Sequence, residues 1–282
     1  MSPSLASRSL LSRLWCAIVL VLLLALPADG LAHAPLSSKL HRLDTLIGQN
    51  PADSELLIQR AQVYSDQGDY ERSRIDLDLA DSLEDSPKSA FIRAVMLYRV
   101  GDLEKSRLQL NRTLDANPHN MAALEYRARI HRDLGRNGAA LVDFEALIEE
   151  QGVVNPGYYL AAAKLKATDD IGVAKALLLL DQGILRLGLI PQLQTYAVTL
   201  ELRLGDTEAA ISRHLSLRPL LNNSPDWKAE IARLYTLHDE PDVALGYYRQ
   251  AQAQLSGLRP TPARQSLANR VETHIVELRL AD

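Results

Sequence analysis

Six histidines follow residue 34, at His41, His119, His131, His214, His238 and His274, and these are the side chains best suited to proton transfer near neutral pH. They are scattered through different elements, and His131 falls on a position that reads as packing. No HExxH pair for zinc, no GxxxxGK[ST] phosphate loop and no GxGxxG dinucleotide turn occurs. Ser212 and His214 are two residues apart on one helix, where side chains do not face each other, so they cannot act as nucleophile and base. The acidic stretch from Asp66 to Asp85 lacks the spacing of a twelve-residue calcium loop and reads as a solvated helix face. These residues point away from catalysis and call for no metal and no cofactor. A hydrolytic site assembled between separate helices is the remote alternative.

Arginine carries the remaining chemistry, which is recognition. Arg60-Ala61, Arg93-Ala94 and Arg127-Ala128 recur at equivalent places, and Asp76 and Asp143 stand sixteen residues after Arg60 and Arg127, with Gln109 in the middle case. Such a row is either a structural ladder, with packed stems and solvated heads, or a ligand-binding arginine row. The ladder is favoured.

The elements that must position these residues repeat. A glycine closes an apolar helix at Gly68, Gly101, Gly135 and Gly205, at intervals of about one, one and two repeats of 34 residues. Tyr64, Leu97 and His131 fall four before the first three glycines. After the turn, Ser73, Ser106 and Ala140 are followed four later by Leu77, Leu110 and Phe144, so each pair shares one helical face. The small residues let two helices approach, and the large ones fill the space beside them. Breaker pairs at Asn50-Pro51, Asn117-Pro118, Asn155-Pro156 and Ser224-Pro225 mark entries to new hairpins, and about fourteen helices are predicted.

With Ala at the eighth place, Tyr or Leu at the eleventh, Gly at the fifteenth and Leu or Phe at the twenty-fourth, the sequence resembles the tetratricopeptide repeat family. Hairpins beginning at Ser54, Pro87 and Met121 match well. Those beginning at Pro191 and Pro225 are eroded, and one across Asn155 to Ile190 has an irregular turn at Asp169 to Gly172, with its second helix read from Ala174 to Leu187. The resemblance implies an all-α fold, a right-handed superhelical solenoid of antiparallel helix hairpins. It divides the chain into a leading helix within 35–53, read at Ser37 to Ile47, about six hairpins over 54–258, and a closing helix within 259–282. Leu267, Val271, Ile275 and Leu278 form the apolar stripe of that last helix.

The resemblance also implies a concave binding surface at the second, fifth, ninth and twelfth places of each first helix. The candidate contacts are Ile58 and Gln62, then Phe91, Val95 and Tyr98, then Glu125, Arg129 and Arg132. Ser65 is the twelfth place of the first hairpin. An apolar patch beside a basic one suits an extended peptide or protein tail with a carboxylate. The function implied is a non-catalytic protein- or peptide-binding scaffold of the cell envelope, in assembly or maturation of a complex. A structural subunit of an oligomer is the alternative.

Residues 1–34 stand apart. Arg8 and Arg13 precede an unbroken apolar run from Leu14 to Leu26, and a small-residue tail ends Ala32-His33-Ala34, the arrangement of a secretory signal peptide. Thirteen residues rise about 20 Å as a helix, short of a hydrocarbon layer of about 30 Å. The alternative, an uncleaved N-terminal anchor, would make this segment the only membrane contact. Cys16, the single cysteine, lies too early to be an acylated lipoprotein cysteine, so no lipid anchor is predicted. Cleavage after Ala34 leaves a cysteine-free chain of net charge about −5, compatible with the periplasm or secretion. With 47% hydrophobic and 23% charged residues the chain can bury a core, and its mild acidity argues against a nucleic-acid partner.

Overall fold

The computed structural model describes residues 29–150 and 155–281, with side chains over 37–150 and 155–280. The leader expected at 1–34 lies outside the described residues except for its last six. Among the described residues there are fifteen helices and no strand. A leading helix α1 (Asp29–Gln49) precedes six hairpins: α2 (Ser54–Asp66) with α3 (Tyr70–Leu83), α4 (Pro87–Arg99) with α5 (Leu103–Ala116), and α6 (Met121–Asp133) with α7 (Asn137–Glu149) come first. Then follow α8 (Pro156–Lys166) with α9 (Asp170–Leu187), α10 (Pro191–Arg203) with α11 (Thr207–Ser216), and α13 (Pro225–Leu237) with α14 (Pro241–Ser256). The one-turn α12 (Arg218–Leu221) precedes α13, and α15 (Pro262–Ala281) closes the chain.

The helix starts are written in the caps. Asp53, Asp69, Ser86, Asn120, Asp206 and Ser224 each accept a hydrogen bond from a first-turn amide, and proline takes the first turn of α4, α8, α10, α13 and α14. The turns inside hairpins share one device. Gly68, Gly101, Gly135 and Gly205 have φ between +71° and +85°, and the following amide reaches back to the carbonyl of Tyr64, Leu97, His131 and Glu201 respectively at 2.7–3.0 Å. In the sixth hairpin Asp239 takes that place at φ +60°, and Glu240 N–H donates to Tyr235 at 3.0 Å. Glycine adopts this conformation without the steric cost that a Cβ brings.

The small places do more than admit a neighbour. Ser73 Oγ donates to the Ala61 carbonyl at 2.7 Å, and Ser106 Oγ to the Ala94 carbonyl at 2.6 Å, both buried. Each hydroxyl ties the second helix to the backbone of the first. Ala140, Ala210 and Ala244 fill the same place in later hairpins, fully buried. Arginines also stitch hairpins together at helix ends, where the last carbonyls lack the i+4 amide of a continuing helix. Arg99 donates to Ser65 O at 2.8 Å, and Arg203, at the same place three hairpins later, to Ala167 O at 2.7 Å.

Three boundaries differ from the sequence expectations. Helix α1 runs from Asp29 rather than Ser37, through the Ala32-His33-Ala34 motif and across Pro35. Among the described residues there are fifteen helices rather than about fourteen: Leu217 tightens the end of α11, and Pro219 then starts the extra turn α12. In the fourth hairpin α9 begins at Asp170, four residues before the expected Ala174. Asp169 caps it through Gly172 N–H at 2.7 Å, and a Cβ on Gly172 would lie 2.2 Å from Lys166 O. That glycine serves a close approach within a shortened turn, which is why it breaks the repeat's spacing.

The helices form two compact units dividing after Ala116, α1–α5 in the first and α6–α15 in the second. In the first, Leu57, Ile58, Ala61, Leu77, Ala80, Ile92 and Met96 make one core. In the second, one core gathers Val198, Ile211, Leu217, Trp227, Ile231 and Leu234, and another joins Ala232, Tyr248 and Ala251 to the Leu267, Val271 and Ile275 stripe of α15.

Candidate partner-binding surface

The arginine row is a set of ion pairs. Arg60 grips Asp76 with two bonds, Nε to Oδ2 at 2.8 Å and Nη2 to Oδ1 at 2.7 Å, and its third nitrogen reaches Asp44 on α1 at 2.8 Å. Arg127 holds Asp143 in the same way at 2.9 and 2.7 Å. Arg93 faces Gln109 in the repeat frame, but turns instead to Asp78 and Asp81 on the preceding hairpin, at 2.7 and 2.9 Å. The reading of solvated heads is thereby corrected. The three guanidinium side chains are only 19–23% exposed, and a planar fork taken that far from water closes on a matching carboxylate. The carboxylates of Asp76 and Asp44 hold Arg60 well above the usual arginine range.

In the fifth hairpin the polarity inverts. Arg213 occupies, on the second helix, the place that Asp76 and Asp143 fill earlier, and it donates to Glu201 on α10 at 2.7 Å and to Asp181 on α9 at 2.7 Å. Burial pushes the Glu201 carboxyl above its ordinary range, against the pull of Arg213. The sixth hairpin puts Tyr247 at that place, stacked on Tyr235 at 5.7 Å and edge-on to Trp227 at 6.4 Å. Trp227 in turn stacks on buried His214 at 5.5 Å, with its indole N–H donating to the His214 carbonyl at 3.1 Å.

The candidate contacts separate by burial. Ile58 is 4% exposed and Val95 7%, and Ser65 is fully buried, so these three belong to the core and cannot meet a partner. The covering neighbours of Ile58 include Ile92 and Met96 of the next hairpin, which a count of places along one helix does not reveal. Gln62 is half-buried and donates to Asp66 at 2.9 Å. Phe91 and Tyr98 are half-buried on α4. Arg129 and Arg132 are exposed on α6, but Arg129 pairs with Glu125 and Arg132 with Asp133 at 3.1 Å. Glu125 also accepts from Tyr158 Oη at 2.8 Å, and partial burial together with that carboxylate pushes the half-buried phenol up to about 12. The Phe91 and Arg129 groups fall in different compact units, and the basic charge of the second is balanced locally.

A cleft of about 330 Å³ lies between α13 and α15. Counting from Pro225, its α13 walls are the second, fifth and ninth places, Asp226, Ala229 and Arg233. Arg270 and His274 of α15 stand opposite, over a floor of Tyr248, Leu267 and Val271. Arg233 is paired with Glu230 at 2.6 Å, whereas Arg270 is exposed and bonds the Ser266 hydroxyl at 2.9 Å. His274 stacks on Tyr248 at 5.2 Å and meets Glu277 at 3.1 Å. Sequence reasoning stopped at the third hairpin. The same place rule applied to Pro225 onward would have found the α13 wall, though not the α15 wall.

No protein-family profile matches the chain, and no curated protein sequence does. Solved structures do. The C-terminal part of a tetratricopeptide protein from Cytophaga hutchinsonii superimposes with a TM-score of 0.64 at 12% identity, covering 80% of this chain and 95% of that one. The chain has the tetratricopeptide-repeat fold. The protein MamA is similar at TM-score 0.52 and 14% identity, over 62% of this chain and 98% of its own. YrrB, a tetratricopeptide protein with an unusual peptide-binding site, is similar at TM-score 0.50 and 13% identity, over 70% and 96%. Among the described residues no cluster of three His, Cys, Asp or Glu side chains is placed to hold a metal, and no described helix is long and apolar enough to cross a membrane.

Proposed function

We propose that this chain is a non-catalytic scaffold that binds a protein or peptide partner in the cell envelope, in the periplasm or after secretion. The observation that carries it is the α13–α15 cleft. Its floor of Tyr248, Leu267 and Val271 is closed to solvent by core packing, and Arg270 stands exposed at its rim, bonded to the Ser266 hydroxyl. An extended segment with a carboxylate toward Arg270 fits this chemistry, since a guanidinium takes a carboxylate bidentately. Phe91 and Tyr98 on α4, Gln62 on α2, and Glu125, Arg129 and Arg132 on α6 are the further partner contacts in this reading. The envelope location rests on the tripartite leader and the lack of cysteine after it, and a role in assembling or maturing a complex follows from a binding scaffold placed there.

The test uses the chain and its Arg270→Glu variant as baits in native envelope extract, with the captured proteins then probed as overlapping peptides. The partner should be lost from the variant, and binding peptides should carry an acidic residue. An unchanged capture by Arg270→Glu would exclude the cleft as the binding site.

A further inference from the structure

Helix α9 is the longest second helix in the six hairpins, 18 residues or about 27 Å, and its outer face is apolar. Ile171, Leu178 and Leu185 are 71%, 64% and 89% exposed, seven residues apart. Ala174 lies exposed on the same face, and Leu177 and Ile184 flank the row half-buried. Isolated exposed leucines are ordinary, but a row at heptad spacing along one helix is the seam that a second helix covers.

We propose that this face pairs with α9 of a second copy of the chain, antiparallel about a twofold axis at Leu178. The argument for a second copy is charge register. Lys175 and Asp181, both exposed, stand three residues on either side of Leu178, so the twofold sets each Lys175 against Asp181 of the other copy while Ile171 meets Leu185. The surface is therefore complementary to itself, as an isologous dimer requires. Asp181 also accepts from Arg213 at 2.7 Å, yet half its side chain stays open, leaving an oxygen for the second copy. A parallel pairing would align Lys175 with Lys175 and Asp181 with Asp181, which like charge disfavours. The surface is separate from the α13–α15 cleft and does not depend on it.

Sedimentation velocity over a concentration series on the full chain, with Leu178→Glu and Lys175→Glu, tests the pairing. Both positions are exposed, so circular dichroism of the variants should match the parent. The parent should dimerise, and Leu178→Glu should weaken the dimer on the order of 100-fold or more, because it loses apolar contact and sets two carboxylates together at the axis. Lys175→Glu should weaken it too. Orientation is read with Cys16 replaced by Ser and a short bis-maleimide. Leu178→Cys should cross-link to itself, whereas Ile171→Cys, about 21 Å from its mate in the antiparallel pair, should not. A monomer at all concentrations would overturn the proposal, as would a dimer indifferent to Leu178→Glu, cross-linking through Ile171→Cys, or a monomer that adsorbs to lipid vesicles through Leu178.

Discussion

Replacing Arg213 with alanine should be among the most damaging single changes in the second unit. The arginine is 17% exposed and its partner Glu201 only 7%, while Asp181 is half open. Glu201 Oε2 has no hydrogen-bond partner even with the arginine in place. Truncation would strand a buried carboxylate, which costs about 3 kcal/mol, and lose stem packing of about 1 kcal/mol. The exposed Asp181 contact adds at most about 0.5 kcal/mol. The expected loss is then about 4 kcal/mol, measured by urea unfolding followed by circular dichroism. Adding Glu201→Gln removes the stranded charge and should restore about 2 kcal/mol. The pH dependence has a definite sign. Burial raises the folded pKa of Glu201 above its unfolded value of about 4.3, so the folded state holds its proton more tightly. That contribution is present below the unfolded pKa and lost as pH rises through the folded one, and removing Arg213 strengthens the effect. The variant should be less destabilised at pH 5 than at pH 7. A loss below about 1 kcal/mol, or no rescue by Glu201→Gln, would refute the reasoning.

Three further outcomes follow from named contacts. Asp239→Gly should stabilise the sixth hairpin by about 0.5–1 kcal/mol in thermal unfolding, since glycine takes φ +60° without a Cβ, and Gly68→Ala should cost a similar amount. Ser106→Ala should cost about 1 kcal/mol by losing the buried bond to Ala94, and Ser106→Leu considerably more because the helices touch there. Burial lowers the pKa of His214, so the unfolded state binds its proton first. Stability from this group is full above about pH 6.5 and falls as pH drops toward the folded pKa, and the difference between parent and His214→Gln urea midpoints should narrow over that window.

Much of the architecture was legible because it is local. The glycines at 68, 101, 135 and 205 mark a backbone conformation that one residue type adopts freely, and a period of about 34 residues follows from two helices and two turns. The sixteen-residue separation of Arg60 from Asp76 and of Arg127 from Asp143 likewise places partners across one hairpin. The irregular fourth turn was harder to read, because Gly172 marks a steric approach to Lys166 rather than a positive φ, and the two uses of glycine look alike in a sequence.

The sequence by itself determined the helices and their pairing into hairpins, since these depend on residues within one repeat length. Tertiary structure alone decided which faces stay open. Ile58 and Val95 sit at places that suit a partner, yet packing buries both. Arg93 leaves the middle place of its own hairpin for Asp78 and Asp81 of the preceding one, and Arg213 reverses the ion-pair polarity with Glu201. The α13–α15 cleft needs a closing helix that belongs to no repeat. Apart from the Arg213–Glu201 pair, which lies within one hairpin, the deciding contact lies between units of the repeat, where side chains from distant positions compete for the same space and charge.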